Sequence, residues 1–258
     1  MNQYEELGFI GRGAYGQCFL ARNVVTQKKY VMKKISLQKG YSAEKLITES
    51  LVLKTLTGHP NICSYVDSFV HGKELCIIMD HYAGGDLQKK IDDKRRSRAT
   101  FSLDTILDFL LQLCIGLKHI HAQNILHRDI KPSNIFITKG DNGFICAHIG
   151  DFGIAKVLKE ESFAMTGIGT PYYLSPEKIT KTPYGPKSDM WSLGCLLYEM
   201  CTLKVPFRGA DHNSLYCKII EKPTPLLPRK YGKYLQTILN GLLHKDPKRR
   251  PSAARILR

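Results

Sequence analysis

His127-Arg128-Asp129-Ile130-Lys131-Pro132-Ser133-Asn134, followed downstream by Asp151-Phe152-Gly153, is the part of the sequence that decides the fold. Between the two runs lie the strand-like NIFIT at 134–138 and a second short apolar strand. Each residue type has a chemical task. Asn134 and Asp151 offer the hard oxygens a small divalent cation prefers. Asp129 can orient a hydroxyl and accept its proton, and Lys131 can set positive charge beside a developing negative one. D-F-G alone is a common turn, and H-R-D alone can be a loop holding an ion pair. Their order, and the motifs upstream of them, give the pattern its weight.

Upstream, Gly11-Arg12-Gly13-Ala14-Tyr15-Gly16 is G-x-G-x-x-G, in which missing side chains let backbone amides approach phosphate oxygens. A dinucleotide-binding reading would require a helix directly after Gly16 and an acidic residue about 20 positions on. The residues after Gly16 read as strand, and no Asp or Glu occurs between Glu6 and Glu44. A strand lysine is expected next. In Tyr30-Val31-Met32-Lys33-Lys34-Ile35 alternation puts Val31, Lys33 and Ile35 on one face and Lys34 on the other, which selects Lys33. A lysine on an apolar face is costly to bury unpaired, so it should meet phosphates and a carboxylate, and Glu49 can supply the latter.

Around these motifs, residues 4–37 read as β-rich and antiparallel, and residues 43–56 as a helix closed by Gly58-His59-Pro60. ICSYVDSFV and ELCIIM resume the strand pattern until Gly84-Gly85. Ser102 caps a long helix running to His121, and residues 185–258 are mostly helical, with breaks at 223–228 and Pro247. Lys94-Arg95-Arg96-Ser97-Arg98 reads as a solvated loop. The 258 residues, 43% hydrophobic and 24% charged, suffice for a folded core and argue against disorder. The net charge of +15 suits a polyanionic partner without choosing one. Eight scattered cysteines without a C-x-x-C pair read as reduced thiols of a cytoplasmic or nuclear protein. The N-terminus lacks the pattern of a secretory signal, and the apolar stretch at Ile106 to Leu117 is too short to span a bilayer.

Taken together, Gly11 to Pro251 resembles the eukaryotic protein kinase family over essentially the whole chain. The resemblance implies an α+β, bilobal fold: a small β-rich N-lobe with one helix over residues 1–82, a larger helical C-lobe over 83–258, one domain over 4–258, with ATP between the lobes. It implies that Ile10, Cys18 and Val31 roof the adenine, that Phe136 floors it, and that Met79 is the gatekeeper. The hinge would run Asp80-His81-Tyr82-Ala83, with Asp80 and Tyr82 bonding the base through their backbones and Asp86 binding ribose. Glu177 in Ser175-Pro176-Glu177 would pair with Arg250, and Asp189 would brace the catalytic loop. Lys131-Pro132 and Thr170, part of the substrate platform, resemble the serine/threonine class. GDFGIAK, SFAMTGIGTPYYLSPE and MDHYAGGDL are similar to the NIMA-related (Nek) branch. Cys18 replaces the usual valine, and the stretch between Asn134 and Asp151 is longer than usual, with a hairpin turn at Asp141-Asn142-Gly143.

The resemblance implies transfer of the γ-phosphoryl group of ATP, with Mg²⁺ or in its place Mn²⁺, to Ser or Thr hydroxyls of protein substrates; a pseudokinase scaffold is the alternative. Arg128, beside Asp129, motivates a switch in which a phosphate on Thr166, or on Ser162, pairs with it. No membrane partner and no nucleic acid are expected. Nek resemblance adds cell-cycle work and cytoskeletal association, and any dimerising tail is expected to lie outside these residues.

Overall fold

The computed structural model describes residues 3–13, 16–37, 53–140, 143–151 and 171–258. They form two compact units, one up to Ala83 and the other from Gly84 to Arg258. The first is a five-stranded antiparallel sheet of β1 (Tyr4–Gly13), β2 (Gly16–Asn23), β3 (Lys29–Ser36), β4 (Tyr65–His71) and β5 (Glu74–Asp80), in the order β1-β2-β3-β5-β4. One face closes over Tyr4, Ala21, Tyr30, Met32, Cys76 and Ile78, with Val66 and Phe69 packed against them. Tyr4 stacks on Phe69 at 6.2 Å and meets Tyr30 edge-on at 5.8 Å. Burying Met32 and Ile78 stabilises the sheet by roughly 2 kcal/mol each.

Two sequence expectations shift here. The strand expected from Ile62 starts at Tyr65, because the Gly58-His59-Pro60 turn holds the next two residues: the Ile62 N–H donates to His59 O at 3.1 Å and the Asn61 N–H to His59 Nδ1 at 3.1 Å. Of the helix expected at 43–56, the described part is a 3-10 turn, Leu53–Leu56, with both leucines buried.

The second unit is mostly helical: α1 (Leu87–Arg96), α2 (Leu103–Ala122), α3 (Pro176–Ile179), α4 (Pro186–Thr202), α5 (His212–Glu221), α6 (Gly232–Leu242) and α7 (Ala253–Ile256). A two-stranded ribbon, β6 (Ile135–Lys139) and β7 (Ile145–Ile149), comes directly after the His127–Asn134 stretch. Ser102 caps α2 as expected, its Oγ accepting from the Thr105 N–H at 3.1 Å. α4 is buried nearly all round, which makes it the axis on which this unit packs. Lys94–Arg96 form the last turn of α1 and not a loop, because Arg95 and Arg96 pair with Asp92 and Asp93 one turn back and complement the helix C-terminus. None of the eight cysteines, all among the described residues, forms a disulfide, and five are buried; burial pushes Cys114 and Cys201 up to about 12, which keeps those thiols unreactive. Among the described residues no helix is long and apolar enough to cross a membrane.

Candidate active site

In the sheet unit, register decides which side chains share a face. Cys18 pairs with Lys33 and Lys33 with Ile77, while Leu20 pairs with Val31 and Val31 with Met79. Cross-strand partners point the same way and alternate residues repeat it, so Cys18, Val31, Lys33 and Met79 lie on one face. The adjacent lysines separate as the alternation predicts. Lys33 is buried at 5% exposure. Lys34, on the opposite face, pairs with Glu6, lies 4.9 Å from the Phe19 ring centroid, and has its pKa raised chiefly by the Glu6 hydrogen bond. Lys34 is thereby committed to holding β1 onto β3.

Gly16 is required for a reason the phosphate pattern did not give. A Cβ there would stand 2.1 Å from Lys34 O, so a side chain would force β2 off β3. Gly11 pairs with Cys18, and Gly13 with Gly16. Ile10 falls at a register shift of β1 and is 52% exposed. The Asp80 N–H donates to Ser64 O at 3.1 Å, so any contact from its backbone to a base falls to the carbonyl. The Tyr82 hydroxyl accepts from the Ser64 N–H at 3.1 Å, and burial raises its pKa.

In the helical unit, the His127–Asn134 stretch is organised by Asp189. Its carboxylate accepts four hydrogen bonds: the N–H groups of His127 at 3.0 Å and Arg128 at 2.9 Å, His121 Nε2 at 2.9 Å and the Tyr184 hydroxyl at 2.6 Å. Full burial pushes the Asp189 pKa up, but the His121 and Tyr184 hydrogen bonds, with the nearby imidazoles, more than reverse this and hold it below the ordinary range. Two of these donors are successive backbone amides, so Asp189 fixes the main chain where Arg128 takes φ +67°. His127 carries the order forward. Its Nδ1 accepts from the Asp129 N–H at 3.3 Å, so the neutral ring bears its proton on Nε2, which donates to Gly150 O at 3.0 Å. Burial lowers its pKa and keeps it neutral.

Asp129 is met by two side chains of its own stretch. Lys131 Nζ donates to its Oδ2 at 2.9 Å, and Asn134 Nδ2 donates to the same oxygen at 3.1 Å and to Asp129 O at 2.8 Å. The ribbon then brings Asn134 beside Asp151: Ile135 pairs with Ile149, and the Gly150 N–H donates to Asn134 O at 2.9 Å. Asp151, two positions beyond the end of β7, takes φ +54°, an uncommon conformation for a side-chain-bearing residue. Because Asn134 uses its amide nitrogen on Asp129, its Oδ1 is the atom left to act as an acceptor. An amide oxygen and a carboxylate suit a hard cation that takes the rest of its shell from phosphate oxygens and water. Among the described residues no group of three or more His, Cys, Asp or Glu could hold a metal ion by itself.

Asp86 has a task that sequence reasoning missed: its Oδ1 caps α1, accepting from the Lys89 N–H at 2.8 Å. It also bridges to Phe136 in β6. The bridge requires close approach at Gly84, where a Cβ would stand 2.3 Å from Ile137 O, and a left-handed Gly85 at φ +71°. Glu177 and Arg250 pair bidentately at 2.7 and 2.8 Å, as the resemblance implied. Every remaining Arg250 N–H also finds an acceptor: Nε on His244 O at 2.8 Å, NH1 on Lys187 O at 2.9 Å and NH2 on Lys245 O at 3.1 Å. His121 and Tyr184 were not singled out from sequence. Their isolated positions gave no signal, since only helix packing brings them to Asp189. Glu49, Ser162, Thr166 and Thr170 lie outside the described residues, as do Phe152 and Gly153.

The protein kinase domain family matches residues 4–258, and the chain belongs to that family. Within it, the chain is similar to Nek serine/threonine-protein kinases. It is 42% identical over 260 residues to Nek5 of Homo sapiens, covering all of this chain and 36% of that protein. It is 42% identical over 260 residues to Nek1 of Mus musculus, of which 21% is covered, and 40% identical over 258 residues to Nek3 of Mus musculus, of which 49% is covered. The chain thus spans at most about half the length of these curated relatives.

Proposed function

We propose that this chain transfers the γ-phosphoryl group of ATP to serine or threonine hydroxyls of protein substrates. The observation that carries this reading is Asp129 held by Lys131 and Asn134 on a main chain fixed by Asp189. Transfer of a phosphoryl group is mostly a matter of positioning and charge stabilisation, so rigid carboxylate and ammonium groups are what it needs. In this reading Asp129 orients the acceptor hydroxyl and takes its proton, while Lys131, within reach of Asp129, offsets charge on the moving group. Asn134 and Asp151 hold the divalent cation, for which Mg²⁺ is the choice and Mn²⁺ a substitute; when bound, it neutralises charge on the phosphates. Lys33, with Glu49 as its intended partner, neutralises phosphate charge from the sheet unit. Cys18, Val31 and Met79 share the apolar face suited to adenine, with Ile10 adding to its cover. The backbones of Gly11, Gly13 and Gly16 approach the phosphates, the Asp80 carbonyl and the Tyr82 backbone bond the base, and Asp86 binds ribose through Oδ2.

The names of the relatives support the serine/threonine class, with Lys131-Pro132 and Thr170 as the residues in this chain that carry it. The phosphoswitch joining Arg128 to Thr166 or Ser162, and residence in the cytoplasm or nucleus with cytoskeletal association, are part of the same proposal. The test is ³²P transfer from ATP to casein, with and without Mg²⁺, by the wild type and Asp129→Asn, with phosphoamino-acid analysis of the product. Cation-dependent phosphoserine or phosphothreonine that drops by about 10²–10⁴-fold in the variant is the expected result. Equal transfer by both proteins would remove Asp129 from the chemistry.

A further inference from the structure

The phosphotransfer reading leaves the excess of basic residues unused, and the fold gathers part of it in one place. From Lys222 to Lys245 there is no Asp or Glu, and the same is true from Lys94 to Ser102. These segments, far apart in sequence, meet at the start of α6: Lys230 Nζ donates to Thr100 Oγ1 at 2.7 Å, and the Tyr231 hydroxyl donates to Phe101 O at 3.0 Å. Lys94 Nζ lies 5.7 Å from the Phe101 ring centroid, and Lys230 Nζ lies 4.8 Å from that of Tyr231. Of the cations in the two segments, Arg95 and Arg96 are offset by Asp92 and Asp93, and Lys245 turns inward over Trp191 and Phe207. The rest include Arg98, Arg229, Lys230 and Lys233, which are exposed and for which neither segment supplies a carboxylate.

Two large apolar side chains stand among these cations. Tyr234 is 92% exposed and Leu226 is 80% exposed, the highest values for large apolar residues among the described residues of the helical unit. Leu226 is held beside α6, because Gln236 accepts from the Leu227 N–H at 2.7 Å and donates to Pro225 O at 3.4 Å. On a helix, Gln236 lies roughly 60° to one side of Lys233, and Tyr234 lies about 100° to the other. Lys233 therefore stands between Leu226 and Tyr234 around the α6 surface.

From this arrangement we propose that the start of α6, with the end of α1, forms a binding surface for an anionic lipid bilayer. A soluble polyanion would satisfy the cations and leave Leu226 in water. A leaflet accepts both, the cations at its headgroups and Leu226 and Tyr234 at the interfacial level. Surface contact, unlike a span, requires no long apolar helix. The inference stands independently of the phosphotransfer reading.

Co-sedimentation of the chain with phosphatidylcholine vesicles, with and without roughly a third phosphatidylserine, tests it. Binding should require phosphatidylserine and weaken with salt. Lys230→Ala/Lys233→Ala should lower vesicle binding by about thirtyfold, roughly fivefold per cation. Leu226→Ser/Tyr234→Ser should lower vesicle binding several-fold and leave retention on heparin unchanged. Thermal unfolding midpoints equal to that of the wild type would show that both variants remain folded. Sedimentation indifferent to phosphatidylserine, or unaffected by the lysine pair, would overturn the proposal. So would retention on heparin or an oligonucleotide without sedimentation, which would assign the surface to a soluble polyanion.

Discussion

Glu177 and Glu199 are equally buried in the helical unit, at 5% and 4% exposure, yet their carboxyls are driven in opposite directions. For both, the largest influence is burial, which disfavours the charge. At Glu177 this is overcome by the two bonds from Arg250 and one from Ser188, and the pKa falls. Glu199 accepts from the Tyr173 phenol and has its nearest cation, Arg95 NH2, at 3.7 Å; Arg95 is half-exposed and also committed to Asp92 and Leu203 O. Burial wins there, and the pKa rises. Burial sets the penalty, and the geometry of the partner decides whether a charge survives it. Both glutamates anchor the segment of Tyr173 and Glu177 to the helices beneath, one through a saturated ion pair and the other through a single phenol.

The largest test of this contrast is Arg250→Met, which leaves Glu177 charged and buried. A stability loss on the order of 3–5 kcal/mol is expected in urea unfolding, and Glu177→Leu/Arg250→Met should recover most of it. A single variant within about 1 kcal/mol of wild type would show that the pair does not clamp the segment.

Acid titration of stability should separate the two carboxyls by sign. Glu177 has a folded pKa below its unfolded value of about 4.3, so its contribution is full above that pH and is lost as pH falls through the folded value. Glu199 has a raised folded pKa, so its contribution is full below about pH 4.3 and is lost as pH rises through the folded value. Relative to the matching glutamine variants, lowering the pH from 7 should therefore cost wild type at Glu177 and favour it at Glu199. Parallel slopes for the two comparisons would contradict the assignment.

A smaller effect is expected from Tyr173→Phe, about 1 kcal/mol of stability, with a further rise of the Glu199 carboxyl pKa readable by carbon NMR. The smallest is Glu199→Gln at neutral pH. The amide can still accept from Tyr173 while the unfavourable charge is gone, so stability should stay within about 0.5 kcal/mol of wild type or increase. A loss comparable to that of Arg250→Met would mean that Arg95 supports Glu199 far more than its distance allows.

The legible part of the site was the part written in consecutive residues. Asp129, Lys131 and Asn134 lie within one loop and one turn, so spacing alone places them together, and the short β6–β7 ribbon returns Asp151 to them. Lys33 was separable from Lys34 because strand alternation is a local rule. The donors to Asp189 were not legible in the same way. His121 and Tyr184 sit on elements whose approach depends on how α2 and α4 pack. The capping of α1 by Asp86 was hidden for another reason: α1 buries only Leu87 and Ile91, too few apolar residues to show a helical period in the sequence.

The sequence by itself determined most strands of the sheet unit, the long helix capped by Ser102, the His127–Asn134 stretch and the choice of Lys33, while α1 was not legible in it. The legible features come from periodicity, capping and short-range spacing. The tertiary structure alone decided that Asp189 would accept four donors, that Arg250 would satisfy all five of its own, that Glu199 would be left with a marginal partner, and that two acid-free segments would share a surface. Each of these depends on distances between residues remote in the chain. Such distances are set by the packing of apolar faces, which constrains the polar groups riding on them without being encoded in any one stretch.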